Sequence, residues 1–127
     1  MNRTHLSPLI ALLAVLAWLV PATAGAGDLT AGKETYKLFC ETCHGPGGKG
    51  DGPGAVGLQP PPRDFSAGEF KFDADGNGKP GEDADLKAVI SKGAAEFGGS
   101  PLMTPWAGAL TDADIENVIA VIRSLKK

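Results

Sequence analysis

The chain is poor in the residues from which most binding and catalytic sites are built. Its 127 residues include two cysteines, two methionines, two histidines and one tyrosine. Both cysteines and one histidine fall in a single pentapeptide, "CETCH", Cys40 to His44. The other histidine, His5, and one methionine, Met1, lie in the first 26 residues. A structural zinc site wants about four Cys or His ligands, and no second cluster supplies the missing ones. "GPGGKGDG" lacks the Gly-Lys-Ser/Thr ending of a phosphate loop, and no strand pattern precedes it. Neither strong period-2 alternation nor an internal repeat is present. No nucleophile with a base and no paired catalytic carboxylates stand out, so the chain does not read as an enzyme. Without Arg3, eleven Lys and Arg face fifteen Asp and Glu. That mildly acidic balance argues against general nucleic-acid binding.

Long apolar runs are also scarce. The single one is Leu9 to Val20, "LIALLAVLAWLV", preceded by Arg3 and followed by the small residues of "PATAGAG". This is the layout of a secretory signal. Cleavage is expected after Ala24 or after Ala26. The run is short of the roughly 20 apolar residues of a spanning helix, so no membrane span is expected once the signal is removed. Residues 1–26 are therefore read as the signal and 27–127 as one domain exported to the periplasm. A domain of that size buries a modest core and gains from a covalent or metal staple.

The remaining chain reads as helices joined by long irregular loops. Asp28 or Thr30 can cap a first helix running to about Cys40, with Leu29, Tyr36 and Phe39 on one face and Gly32 a turn before Tyr36. From Gly45 to Pro62 glycine and proline leave no room for a regular helix or strand. Phe65, Phe70 and Phe72 follow and require burial. A second helix is expected over roughly Asp85 to Gly93. The last helix is the clearest: Thr111 and Asp114 form a capping box, and Ile115, Val118, Ile119, Ile122 and Leu125 recur at helical spacing. "DADGNGKPGEDA", Asp73 to Ala84, begins like a calcium-binding loop. Its twelfth position is alanine instead of glutamate, and Pro80 interrupts it. It reads better as an acidic loop capping the next helix.

In an exported chain a cysteine pair is by default a disulfide, but one across two residues closes a tiny loop and stabilises little. A thioredoxin-like pair wants strand–helix units, which are missing. C-x-x-C-H is also the attachment signature of c-type haem. Two thiols can add to the vinyl groups on one side of a porphyrin, and the adjacent histidine can then reach iron from one face. Such a group provides what the loops lack, a large flat apolar surface to pack on. Outside the signal, Met103 is the sole methionine, in the loop "GGSPLMTPW". Methionine is a common gap filler in cores. Its place between Pro101 and Pro105, in a loop that can aim a side chain, favours a second iron ligand. His/Met ligation raises the haem potential and leaves no open position for a substrate.

These segments resemble the small class I bacterial cytochromes c with one haem. "AGKETYKLFC" is similar to the family's first helix, "CETCHGPGGKGDGPG" to its haem-binding stretch, and "MTPWAGALTDADIENVIAVIRSL" to its methionine loop and last helix. The resemblance implies an all-α class I cytochrome c fold, three or more helices with Gly/Pro loops wrapped around one covalent haem. It implies haem c held by Cys40 and Cys43, with iron ligated by His44 and Met103. It implies a first helix crossing the last closely at Gly32. Members carry single electrons between periplasmic or membrane redox enzymes, so the expected partners are a dehydrogenase, a reductase or a terminal oxidase. The residues leave two other readings open. One is a haem-based sensor or small-gas binder with a labile distal ligand; the other is an electron-transfer subunit of a larger redox enzyme. Two positions depart from the family. Val121 stands where an aromatic is frequent, which predicts a thinner helix contact, and Thr104 separates Met103 from the following proline. Among supporting groups, a carbonyl of the Gly-Pro loop, that of Pro53, is a candidate partner for the second ring nitrogen of His44. Arg63 and Trp106 are candidates for haem propionates.

Overall fold

The computed structural model describes residues 27–127; the secretory-signal reading falls on residues 1–26 and lies outside them. The described residues contain four α-helices and no strand: α1 (Leu29–Phe39), α2 (Glu41–His44), α3 (Asp83–Lys92) and α4 (Asp112–Ser124). Single 3-10 turns occupy Pro53–Ala55 and Ala94–Phe97, within segments expected to be wholly irregular. A 3-10 turn tolerates this because it needs three residues, not a long favourable run. None of these helices is long and apolar enough to cross a membrane.

Each long helix begins where its cap dictates. Asp28 accepts from the backbone N–H groups of Thr30 and Ala31 and starts α1. Glu82 and Asp85 form a capping box that starts α3 two residues earlier than the apolar spacing predicts. Thr111 and Asp114 form the box that starts α4. Such caps satisfy donors that the first helical turn leaves orphaned.

The core is organised on α4. Ile115 and Val118 are fully buried, and Ile119, Val121 and Ile122 nearly so. Tyr36 of α1, Leu86 and Ile90 of α3, and Phe65 and Leu110 from the loops complete the cluster. The expected Ile/Val stripe faces this core, with Leu125 packed against its edge. Helices α1 and α4 cross at Gly32. A Cβ there would overlap the Asn117 carbonyl oxygen and lie 2.9 Å from Val121 Cγ2. Val121 is thus buried at a crossing where the two backbones lie close together.

The loops are tied down by few but specific bonds. The Phe65 N–H donates to the Gly48 carbonyl at 2.6 Å, and the Lys127 N–H to the Ser66 carbonyl at 3.1 Å. Arg123 of α4 donates to Asp83 Oδ1 at 2.8 Å and to the Gly81 carbonyl at 2.6 Å, with its guanidinium 5.1 Å from the Phe70 ring centre. This clamp holds the acidic loop and the start of α3 against α4. Within that loop, carboxylate oxygens of Asp73, Asp75 and Asp85 lie within 4.8 Å of one another. Asp73 accepts from the N–H groups of Asn77 and Gly78. Buried Asp85 accepts from those of Ala74 and Glu82. Desolvation works against ionising Asp85, yet donation by Ala74, Glu82, Asp75 and Gly81 outweighs it and holds the carboxyl below its usual range. The carboxylates serve as the loop's internal turn and helix cap.

Candidate functional site

The chemistry-bearing pentapeptide begins at the junction of α1 and α2. Cys40 ends α1, with its N–H donating to the Tyr36 carbonyl. Glu41 to His44 then make one further helical turn, closed by Gly45. This places Cys40, Cys43 and His44 along one wall of an apolar cavity of about 540 Å³. Met103 reaches the same cavity from a turn between α3 and α4. All four candidate residues therefore line a single space. Trp106 and Arg63 line it as well, while core residues such as Ile90, Val118 and Ile122 form its inner wall. The cavity is thus continuous with the hydrophobic core.

The glycine-rich loop after His44 wraps the motif with backbone bonds. The N–H of Gly50 donates to the His44 carbonyl at 2.8 Å, and that of Gly52 to the Cys43 carbonyl at 3.2 Å. A Cβ at Gly52 would overlap the Thr42 carbonyl and lie 2.6 Å from that of Glu41. Side chains of ordinary size would hold the loop away from α2. Loop composition here is a requirement of packing distance.

His44 is buried, with a relative exposure of 9%. Its Nδ1 lies 3.2 Å from the Arg63 carbonyl. This corrects the Pro53 expectation. Pro53 is exposed in an outward 3-10 turn, and the chain returns through Pro60–Pro62 to bring Arg63 beneath the ring. A carbonyl can only accept, so this bond requires Nδ1 to carry the proton and leaves the Nε2 lone pair free. The Phe65 ring stacks on the imidazole at 4.3 Å between centres and 16° between planes. Burial holds His44 below the usual imidazole range, and the Arg63 bond opposes part of that shift. A neutral, oriented imidazole is what metal ligation needs. Burial, reinforced by the Cys43 charge, raises the Cys40 thiol to about 11.

Arg63, read as a propionate candidate, has its Nε donating to the Glu69 carbonyl at 2.6 Å. Trp106 packs edge-on to Phe39 at 5.5 Å between ring centres. Sequence reasoning missed two supporting residues. One is Phe65, whose stacking partner is 21 positions away. The other is Tyr36, whose hydroxyl donates to the Gly45 carbonyl at 2.8 Å, immediately after His44. A signal for Tyr36 existed: a buried tyrosine hydroxyl usually finds a partner.

Burial is the first cause holding the Tyr36 phenol well above its usual value of 10.0. The folded protein therefore keeps a proton that the unfolded chain releases near 10.0. Stability from this difference is fully present below that value and is lost as pH rises above it. Tyr36→Phe should remove this alkaline component. It should also cost about 1 kcal/mol at neutral pH, the usual net worth of one hydrogen bond, leaving the Gly45 carbonyl with only the Gly48 N–H at 3.1 Å. Denaturant midpoints across the alkaline range check this; an unchanged pH slope would refute it.

The residues present fit a covalent haem. The cavity is largely apolar and of cofactor size, with two thiols, a free imidazole nitrogen and a thioether on its walls. The comparisons agree. The Cytochrome c family profile matches residues 29–126. Cytochrome c-554(547) of Halothiobacillus neapolitanus is 33% identical over 103 residues, covering 80% of this chain and 100% of that protein. A chain of the Kuenenia stuttgartiensis reducing HAO-like protein complex Kustc0457/Kustc0458 superposes with a TM-score of 0.67 at 32% identity; 80% of this chain is covered, and it spans 44% of that one. The KustC0563 c-type cytochrome superposes with a TM-score of 0.52 at 28% identity, over 76% of this chain and 98% of that one. A C-x-x-C-H turn opening on an apolar cavity, on an all-helical frame matched nearly end to end, makes this chain a member of the cytochrome c family, with haem c and its iron as cofactor.

Proposed function

We propose that the protein is a periplasmic one-electron carrier with His/Met-ligated iron, working by contact with larger redox proteins. The observation that carries this reading is the convergence of Cys40, Cys43, His44 and Met103 on one apolar cavity. There the Cys40 and Cys43 sulfurs would hold the haem covalently, and His44 Nε2 and the Met103 sulfur would ligate its iron. Haem supplies an iron that alternates between ferrous and ferric states. The chain's part is to hold that iron with two unchanging ligands and exclude water. The Arg63 carbonyl and the Phe65 ring fix the His44 plane, and the core side chains of the inner wall keep the site dry. Two ligands from the protein would leave the iron no open position for a substrate, as a carrier requires. The Kuenenia neighbour, named as part of a reducing HAO-like protein complex, supports a role beside a larger redox protein.

Absorption spectra of the matured protein test this, with carbon monoxide added to the reduced form. The expected result is a c-type spectrum with a ferric methionine–iron band and no response to carbon monoxide. Ready carbon monoxide binding without that band would remove Met103 as ligand and favour a sensor or gas binder.

A further inference from the structure

Gly93 closes α3, but it is not an ordinary left-handed helix cap. Its φ of 84° and ψ of 154° turn the chain into an extended region that only glycine readily adopts. The space where a Cβ would stand is bounded on several sides by one segment. The Met103 carbonyl oxygen, the Pro105 Cδ and the Pro105 nitrogen each lie 3.0 Å from it. Three more contacts sew that segment to the same corner. The Ala94 N–H donates to the Met103 carbonyl at 3.0 Å. The Trp106 and Ala107 N–H groups donate to the Ile90 and Ser91 carbonyls at 3.0 and 3.3 Å. The last carbonyls of α3, orphaned by the helix end, thereby become the anchor of the Met103 turn.

We propose that Gly93 is a positioning residue for the iron's methionine ligand, setting how far the Met103 sulfur extends into the cavity and hence how well it resists displacement. This rests on the reading of Met103 as the distal ligand. The mechanism is geometric. Met103 and Pro105 grip the Gly93 backbone together, one through its carbonyl and the other through its ring. A methyl group at position 93 must push both outward, since the contacts on that side are backbone atoms and a ring, none of which can swing aside. The Met103 sulfur retreats with its backbone.

Gly98 provides the comparison. It also has positive φ, 80°, and lies a few residues on, but a Cβ there meets nothing within 4 Å. Gly98→Ala introduces left-handed backbone in the adjoining turn without touching the methionine segment. Ala94→Pro attacks the corner by another route: it deletes the N–H that holds the Met103 carbonyl, at the first residue of the 3-10 turn after α3.

The test uses the matured haem protein. Ferric spectra and imidazole titrations are compared for wild type, Gly93→Ala, Ala94→Pro, Gly98→Ala and Met103→Ala, with helical circular dichroism as the check on folding. The expected result is that Gly93→Ala and Ala94→Pro keep haem and helices but weaken or lose the methionine–iron band. Imidazole should bind them at least about tenfold more tightly, because an incoming ligand binds in proportion to the fraction of molecules whose iron position is open. Gly98→Ala should behave as wild type. The inference is overturned if the wild type shows the band and both corner variants retain it with unchanged imidazole affinity, or if Gly98→Ala weakens it equally. Should Gly93→Ala fail to fold, Ala94→Pro decides alone. A wild type with no band, and a spectrum indifferent to Met103→Ala, would instead defeat the ligand reading, and this inference with it. That failure is distinct because it is seen before any corner variant is compared.

Discussion

Gly32→Ala should destabilise the protein by roughly 2 kcal/mol or more, the upper part of the usual range for overpacking a well-filled core. Intrinsic propensity predicts the opposite sign. Alanine in place of a mid-helix glycine is worth about 1 kcal/mol in favour of the helix. The crossing overrides this because the added methyl meets backbone, overlapping the Asn117 carbonyl oxygen and standing 2.7 Å from its carbon. A side chain in that place could change rotamer, but the Asn117 backbone belongs to α4, whose inner face is the core itself. The helices must separate, and the buried Val121 and Tyr36 lose packing with them. Nearby Gly27 makes a similar approach to α4, where a Cβ would lie 2.8 Å from Asn117 Cα, so the shift has no free side to relax into. Guanidinium unfolding of the haem-loaded protein measures the effect. Equal or greater stability of the variant would show that the crossing is looser than this geometry.

Met103→Ala should have the largest effect on the redox chemistry. Under the proposed ligation it removes the thioether that favours ferrous iron and raises the potential. The ferric methionine–iron band should vanish, the reduced protein should bind carbon monoxide, and the midpoint potential should fall. Each tenfold loss of preference for the ferrous state lowers a one-electron potential by about 59 mV, and at least one such step is expected. The substitution also truncates a side chain packed against the core, so some stability is lost on either reading. The potential and carbon monoxide binding separate the two. A core methionine would leave both unchanged, while a ligand changes both.

Much of this was legible in the chain because it is written in local patterns. Capping residues Asp28, Thr111 and Asp114 start helices where expected, since a cap bond spans only two or three residues. The Ile115–Ile122 stripe faces the core because helical periodicity is itself a statement about one face. Other features arise between distant segments and have no local signature. Nothing in "PPPRDF" says that the Arg63 carbonyl will lie beneath His44 or that Phe65 will stack on it. Those contacts follow from the path of a long loop. Val121 is a case of the same kind: its near-complete burial at the crossing follows from how α1 meets α4 at Gly32 and has no local signature.

Local patterns in the chain carried the helical class, the starts of α1 and α4 and the chemical identity of the group near Cys40 to His44. Thiol spacing, caps and apolar period are short-range properties that the chain carries wherever it goes. Tertiary structure alone decided which carbonyl orients the histidine, how the Met103 turn is anchored at Gly93, and that the four chemistry-bearing residues share one cavity. These depend on how closely backbones approach, and that distance is set by the packing of all the segments at once.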